Sequence, residues 1–215
     1  MKITDLLPDD VKKAEKPSKL VLDRLQRLAS YDLSFLTSEF TADKVRSFSP
    51  EQLFPLIKHF RKFKMKVDSS VAAQLEFEFK RFVAIALLKP GRRNAPSGPV
   101  DMYWHFFVLH TGQYVGFCTA IFGMFGPGPG TGTHYPAVVD HVPATDSTRP
   151  MMNDTYRETR VIYESFYRSV DEKFWPAPPR VGNHPATCGD SYSGFVHPLL
   201  TGDVPVGKST EAHST

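Results

Sequence analysis

The sequence has few of the features that identify secreted or membrane proteins. It contains only two cysteines, Cys118 and Cys188, which are too few for a disulfide framework. No apolar run reaches the roughly 18 residues of a membrane span. The first residues, MKITDLLPDDVKKAEK, lack the apolar segment of a signal peptide. We therefore expect a cytoplasmic protein that does not use the membrane as a partner.

Common catalytic and nucleotide-binding motifs are also missing. The sequence has no phosphate-binding loop, no paired CxxC and no nucleophile elbow. The formal net charge of +3 is mild, so it permits contact with a polyanion without predicting one. No cofactor-binding motif and no complete catalytic set can be recognised from the sequence.

The residues that are present predict a mainly α protein. Hydrophobic residues make up 41% of the 215-residue chain and charged residues 23%, which is typical of a globular domain. We predict one helical domain of about five or six helices over residues 18–176, with little or no sheet. It is flanked by an extended N-terminal arm, residues 1–17, and an extended C-terminal tail, residues 177–215. Residues 126–152 form a long loop rich in Gly and Pro.

Four segments show the apolar spacing of helices. Ser18 is a plausible cap for a helix over residues 19–36, and Ser49 with Pro50 for the next one. Residues 70–88 carry a wide apolar face, which suggests a central position in the domain. Asn153 or Asp154 can cap a last helix that closes at Trp175.

Residues 99–125, PVDMYWHFFVLHTGQYVGFCTAIFGMF, are the most apolar and aromatic stretch. We expect a helix there that is interrupted at Thr111 and Gly112 and ends at Gly123. Its predicted buried face consists of Val100, Trp104, Phe107, Val108, Tyr114 and Phe117.

Asp101 and His105 lie four apart in this stretch and so on one helix face. Such a pair can bind one divalent metal such as Zn, or the Asp can orient the His for proton transfer. A metal needs further ligands, and we expect His134 first, with His110, His141 and Cys188 as the other available donors. Alternatively, Asp101 is stabilised by free N–H groups at the helix start and His105 is a hydrogen-bonded core residue.

A basic strip is predicted on the helix that begins at Ser49. One interpretation is a site for phosphate groups of a nucleic acid; the other, which we favour, is a solvated helix face. The strip consists of Lys58, Arg61, Lys62, Lys64 and Lys66.

The motif Val100-Asp101-Met102-Tyr103-Trp104-His105, followed by Thr111, Tyr114, Phe117-Cys118 and Phe122-Gly123, resembles one group of proteins. It is similar to bacterial and phage proteins related to the plant glycine-rich domain-containing proteins. The resemblance implies a mostly helical domain and supports a site at Asp101, His105 and His134, without naming a reaction. The chain departs from that pattern at Phe107, where plant members have a second His, and in its single His before Tyr135-Pro136.

Three functions follow as expectations. The first is a structural or interaction subunit of a larger assembly, such as a phage particle, that uses its arms for self-assembly or for binding protein partners. In that case the protein can belong to a virion assembled in the cytoplasm. The second is a metal-binding or acid/base, hydrolase-like domain, and the third is an accessory protein that binds nucleic acid. We favour the first because no complete catalytic set is visible.

Overall fold

The computed structural model describes residues 1–9, 17–40, 67–127, 134–136 and 149–178. The capped apolar segments of the sequence form its helices. Within these ranges the chain is mainly α, as predicted, and its apolar residues share one core. The six α-helices of the described residues are α1 (Lys19–Ser30), α2 (Ser34–Glu39), α3 (Ser69–Leu88), α4 (Gly98–Leu109), α5 (Thr111–Phe122) and α6 (Arg149–Phe166).

The β structure of the described residues consists of two short strands. β1 (Met124–Pro127) pairs antiparallel with β2 (His134–Pro136), and β2 contacts α5. The expectation of little or no sheet is therefore confirmed for these residues. None of the described helices is long and apolar enough to cross a bilayer.

The first predicted helix is two helices. Ser18 caps α1 as expected, because its hydroxyl accepts the N–H of Val21 at 3.3 Å. The chain leaves the helical conformation at Tyr31, whose carbonyl accepts Lys80 Nζ at 2.8 Å. The carboxylate of Asp32 then accepts the N–H of Ser34 and starts α2. The predicted continuous helix over residues 19–36 was therefore wrong, because polar contacts of Tyr31 and Asp32 end α1 and begin α2.

Helix α3 is the centre of the domain. It contacts α1, α2, α4 and α6, and its bounds agree with the predicted helix to within one residue. The side chain of Asp68 caps it by accepting the N–H of Val71 at 3.0 Å. The wide apolar face therefore does mark the central helix.

Residues 99–125 form two helices, as the predicted interruption required, although Thr111 and Gly112 themselves belong to α5. His110 separates α4 from α5, and α5 ends before Gly123, which has a positive φ of 92°. Buried Arg24 donates to the carbonyl of Phe122 at 2.9 Å. This contact satisfies a carbonyl at the C-terminus of α5, where a cation is electrostatically favourable.

Helix α6 begins earlier than predicted. It starts at Arg149 with Pro150 in its first turn, so the expected caps Asn153 and Asp154 lie inside the helix and that assignment was wrong. Proline suits the first turn because its missing N–H would have no helical partner there. The helix ends at Phe166, and a turn at Asp171 leads to Trp175.

Several predictions concern residues outside the described ranges and stay predictions. They are the helix at residues 49–67 except its last residue, the basic strip of Lys58, Arg61, Lys62, Lys64 and Lys66, the donors His141 and Cys188, and the tail from residue 179 onward.

Candidate functional site

Asp101 and His105 lie together in the first half of α4, as the spacing predicted. Ser97 caps this helix, and Asp101 is in its first turn. His105 Nδ1 is 3.0 Å from the carbonyl oxygen of Asp101 and 3.4 Å from its Oδ2. The Asp101 side chain is 5% exposed and that of His105 22%. The pair therefore sits at the edge of the core, with the imidazole reaching toward the surface.

The geometry fixes the proton on one ring nitrogen. A carbonyl oxygen only accepts, so Nδ1 of His105 must carry a proton to donate to Asp101. In the neutral ring the lone pair is then on Nε2, the atom that can bind a metal or accept a proton. Burial lowers the pKa of His105, but the charge of Asp101 and the hydrogen bonds to it act the other way and raise the pKa overall. Asp101 can therefore orient and charge-stabilise the imidazole.

For His134, the third predicted ligand, the structure gives the position of the backbone alone. His134 begins β2, which contacts α5. Within the described residues no group of three or more His, Cys, Asp or Glu side chains is arranged to hold a metal. His110, another predicted donor, is directed elsewhere: its Nε2 faces Glu39 Oε2 at 3.2 Å and its Nδ1 the carbonyl of Phe106 at 2.9 Å.

A second site, which the sequence analysis did not find, surrounds Glu78 on α3. Glu78 is 3% exposed, and its carboxylate accepts hydrogen bonds from Tyr163 OH, from Trp175 Nε1 at 3.0 Å and from Gln74 Nε2 at 3.0 Å. Arg81 Nη1 is 3.8 Å from the same carboxylate. A buried charge is tolerated only when it is paired and hydrogen-bonded, and these four side chains meet that requirement.

Arg81 connects this network to the N-terminal segment. Its Nη1 donates to Tyr163 OH at 3.0 Å, and its Nε donates to the carbonyl of Asp5 at 3.3 Å. The guanidinium lies over the rings of Phe77 and Tyr167, 4.4 and 4.3 Å from the centroids. Burial is the main reason that the pKa values of Tyr163 and Tyr167 are raised, so both phenols stay neutral hydrogen-bond donors at physiological pH.

An open cleft lies beside this network, between α3 and the turn after α6. Its volume is about 620 Å³, within the range of small-ligand pockets. Glu78 and Arg81 line it together with apolar and polar side chains from both elements. The lining residues are Ser70, Val71, Gln74, Phe77, Glu78, Arg81, Ser169, Val170, Asp171, Lys173 and Phe174.

One signal in the sequence pointed to this site. Glu78 follows Leu75 by three residues and precedes Phe82 by four, so it lies on the apolar stripe of the predicted helix. A carboxylate on an apolar stripe requires buried donors. Nothing in the local pattern shows that these donors are Tyr163 and Trp175, which are 85 and 97 positions away.

The comparisons with known proteins give a family but no activity. A family model described as UCP032817-like matches residues 38–146, just over half of the 215-residue chain, and the chain belongs to that family. The matched range contains α3, α4 and α5, and thus both Glu78 and the Asp101–His105 pair. No curated protein and no solved structure matches the chain.

Proposed function

We propose that this chain, a member of the UCP032817-like family, is a structural or interaction subunit of a larger assembly. The observation that carries the proposal is that both terminal segments attach to one face of the domain, beside the open cleft. We call this face, formed by residues 1–9, the cleft and residues 167–178, the arm face. Through it the protein would bind a protein partner.

Besides the contact from Arg81 Nε to the carbonyl of Asp5, three hydrogen bonds hold the N-terminal segment on the arm face. Tyr167 OH donates to the carbonyl of Leu6 at 3.1 Å, and Asp9 N–H donates to the carbonyl of Phe166 at 2.8 Å. Asp9 also accepts the N–H of Arg168 at 2.8 Å. The side chain of Leu6 enters the core. The segment is therefore anchored at the end of α6, where the lining of the cleft begins.

The C-terminal segment is anchored on the same helix. Tyr156 OH donates to the carbonyl of Pro176 at 2.7 Å, and the Tyr156 and Trp175 rings are stacked with centroids 6.3 Å apart. Residues 10–16 and 179–215 are covalently joined to these anchored segments. The sequence of residues 10–16 is mostly charged and that of residues 179–215 is rich in Pro, Gly and Ser, and we propose that both contact the partner.

The experiment is to isolate the tagged full chain from its native source and measure its assembly state by sedimentation. We expect a complex of defined stoichiometry that Lys173→Glu, in the cleft, dissociates. Lys19→Glu is the matched control, because Lys19 lies on α1 with a side chain that is 92% exposed. A wild-type chain that sediments as a monomer, or equal effects of the two variants, would contradict the proposal.

A second candidate function is favoured by the geometry of Asp101 and His105. This is a metal-binding or acid/base, hydrolase-like site in which His105 Nε2 is the reactive atom, Asp101 orients the ring and His134 supplies a further ligand. The cofactor would be a divalent metal such as Zn. Elemental analysis of protein purified without added metal tests it: we expect stoichiometric metal that is lost in His105→Gln and kept in His197→Gln.

Two finer proposals accompany the main one. The protein would act in the cytoplasm, or in a virion assembled there, and it would be a relative of the glycine-rich domain-containing proteins. The motif from Val100 to His105 supports that kinship. Nucleic-acid binding through Lys58–Lys66 has no support from the described residues and stays a prediction. If the strip binds nucleic acid, the affinity should fall steeply as the salt concentration rises.

A further inference from the structure

We infer that the cleft binds an acidic, partly apolar peptide segment of the partner protein, with Arg81 and Lys173 as its charged contacts. The inference rests on the proposed function and specifies the chemistry of the partner. It follows from which hydrogen-bonding groups of the cleft are already used and which are not.

The cleft has donors without an acceptor among the described residues. Arg81 uses Nε and Nη1 in the contacts given above, and its Nη2 group makes no hydrogen bond to a described residue. Lys173 Nζ lies 5.2 Å from the centroid of the Phe174 ring and has no carboxylate partner there. The hydroxyls of Ser70 and Ser169 likewise have no partner among these residues. These groups call for a ligand that brings acceptors.

The acceptors of the cleft are mostly engaged. Glu78 receives Tyr163, Trp175 and Gln74, and its charge is balanced by Arg81. Asp171 Oδ1 accepts the N–H of Lys173 at 2.9 Å. The second oxygen of Asp171 can accept one peptide N–H. The cleft therefore favours a ligand carboxylate, whose two strong acceptor oxygens can take the remaining N–H groups of Arg81 and whose charge complements that of Lys173.

The side chains that line the cleft also favour an apolar group in the ligand. Val71, Phe77, Val170 and Phe174 line it with aliphatic and aromatic surface. A purely ionic ligand would leave this surface in contact with water, whereas an apolar side chain next to the acidic one would cover it. A volume of about 620 Å³ accommodates a segment of a few residues. An Asp or Glu adjacent to Leu or a similar residue fits both properties.

The two tryptophans of the chain provide a probe and an internal control. Trp175 Nε1–H donates to Glu78 beneath the cleft, while Trp104 Nε1–H donates to Tyr114 OH at 3.0 Å in the core. We would titrate the ¹⁵N-labelled full chain with a blocked Gly-Asp-Leu-Gly peptide and follow both indole N–H signals. We expect the Trp175 signal to shift and the Trp104 signal to stay in place.

Matched ligands and variants decide the outcome. We expect the Asp peptide to bind at least about tenfold more tightly than a Gly-Asn-Leu-Gly peptide, which is about 1.4 kcal/mol, and the difference to shrink with salt. Lys173→Gln should weaken binding about threefold and Arg81→Lys about tenfold, because lysine lacks the guanidinium fork. Lys19→Gln should have no effect.

Failure of the Asp peptide to bind would overturn the inference, and so would three further results. They are equal affinity for the Asp and Asn peptides, equal affinity for inorganic phosphate and the Asp peptide, and unchanged binding in Lys173→Gln. Because Lys173 is on the surface, that variant tests the inference even if Arg81→Lys does not fold. If the peptide fails to bind while Lys173→Glu still dissociates the native complex, the proposed function stands and only this partner chemistry is wrong.

Discussion

Trp175 Nε1 donates a 3.0 Å hydrogen bond to Glu78 Oε2, although the two residues are 97 positions apart in the chain. This contact joins the central helix α3 to the segment that follows α6. The Trp175 ring also lies against Tyr163, with centroids 4.3 Å apart, and Tyr163 donates to the same carboxylate. One buried carboxylate therefore holds the C-terminal side of the arm face in place.

Glu78→Ala should be among the most destabilising single changes in the described residues. It leaves Tyr163, Trp175 and Arg81 without their common acceptor in a buried place, and breaking such a network typically costs about 3–5 kcal/mol. Glu78→Gln keeps the shape and one acceptor oxygen, so we expect a loss of about 1–2 kcal/mol. Urea unfolding followed by tryptophan fluorescence measures both.

The control for this series is Glu158→Gln. Glu158 pairs with Arg92 at 2.8 Å, but both side chains are about half exposed, and surface ion pairs contribute less than about 1 kcal/mol. If the Glu78 variants lose no more stability than Glu158→Gln, the carboxylate does not organise this side of the domain.

Glycines 123 and 112 should respond to alanine in opposite directions. Gly123 has φ 92° and ψ −161°, a conformation almost restricted to glycine, so Gly123→Ala should cost about 1–3 kcal/mol. Gly112 lies within α5, and an added Cβ there meets no atom within 4 Å. Gly112→Ala should therefore stabilise by about 0.5 kcal/mol. Paired thermal melts test both, and a gain from Gly123→Ala would show that Gly123 does not adopt this positive-φ conformation.

The stability of the protein should depend on the protonation of His105. The pKa of His105 is raised in the folded state above its unfolded value of about 6.5. The stabilising contribution is then complete below about pH 6.5 and is lost as the pH rises through the folded-state pKa. In Asp101→Asn we expect the pKa of His105 to fall and this pH dependence to disappear.

NMR titration of the His105 ring and urea unfolding at pH 6 and pH 8.5 measure this effect. His105→Gln serves as the control, because it removes the titrating group. Adding Asp101→Asn to this variant should leave the difference in unfolding free energy between pH 6 and pH 8.5 unchanged. An unchanged His105 pKa in Asp101→Asn would show that the carboxylate does not act on the imidazole.

The sequence predicted features that depend on neighbouring residues. Ser18 caps a helix, the chain breaks one residue before the predicted interruption at Thr111, and Gly123 ends α5, because caps, breaks and stops are set within a few positions. Asp101 and His105 lie together for the same reason, since one helical turn joins them. The break between α1 and α2 after Tyr31 was missed, because it depends on Lys80 from another helix as well as on Asp32.

The Glu78 site could not be assembled from the sequence. Its partners come from α3, α6 and the turn that follows, and helical spacing says nothing about which helices become neighbours. Lys80 shows the same limit: it lies four residues after Glu76, a spacing that favours an ion pair, and the two side chains are 2.9 Å apart. The spacing did not show that the Lys80 side chain is almost fully buried and reaches Tyr31.

The most direct test of the central claim, that this protein is an interaction subunit that binds its partner through the arm face, is photo-cross-linking in the native source. A photoreactive residue placed at Lys173 should cross-link one defined polypeptide. The same residue at Leu20, which is exposed on α1, should not. Cross-linking of that polypeptide at position 173 alone is the predicted result; no product at 173, or the same product at both positions, would contradict the account.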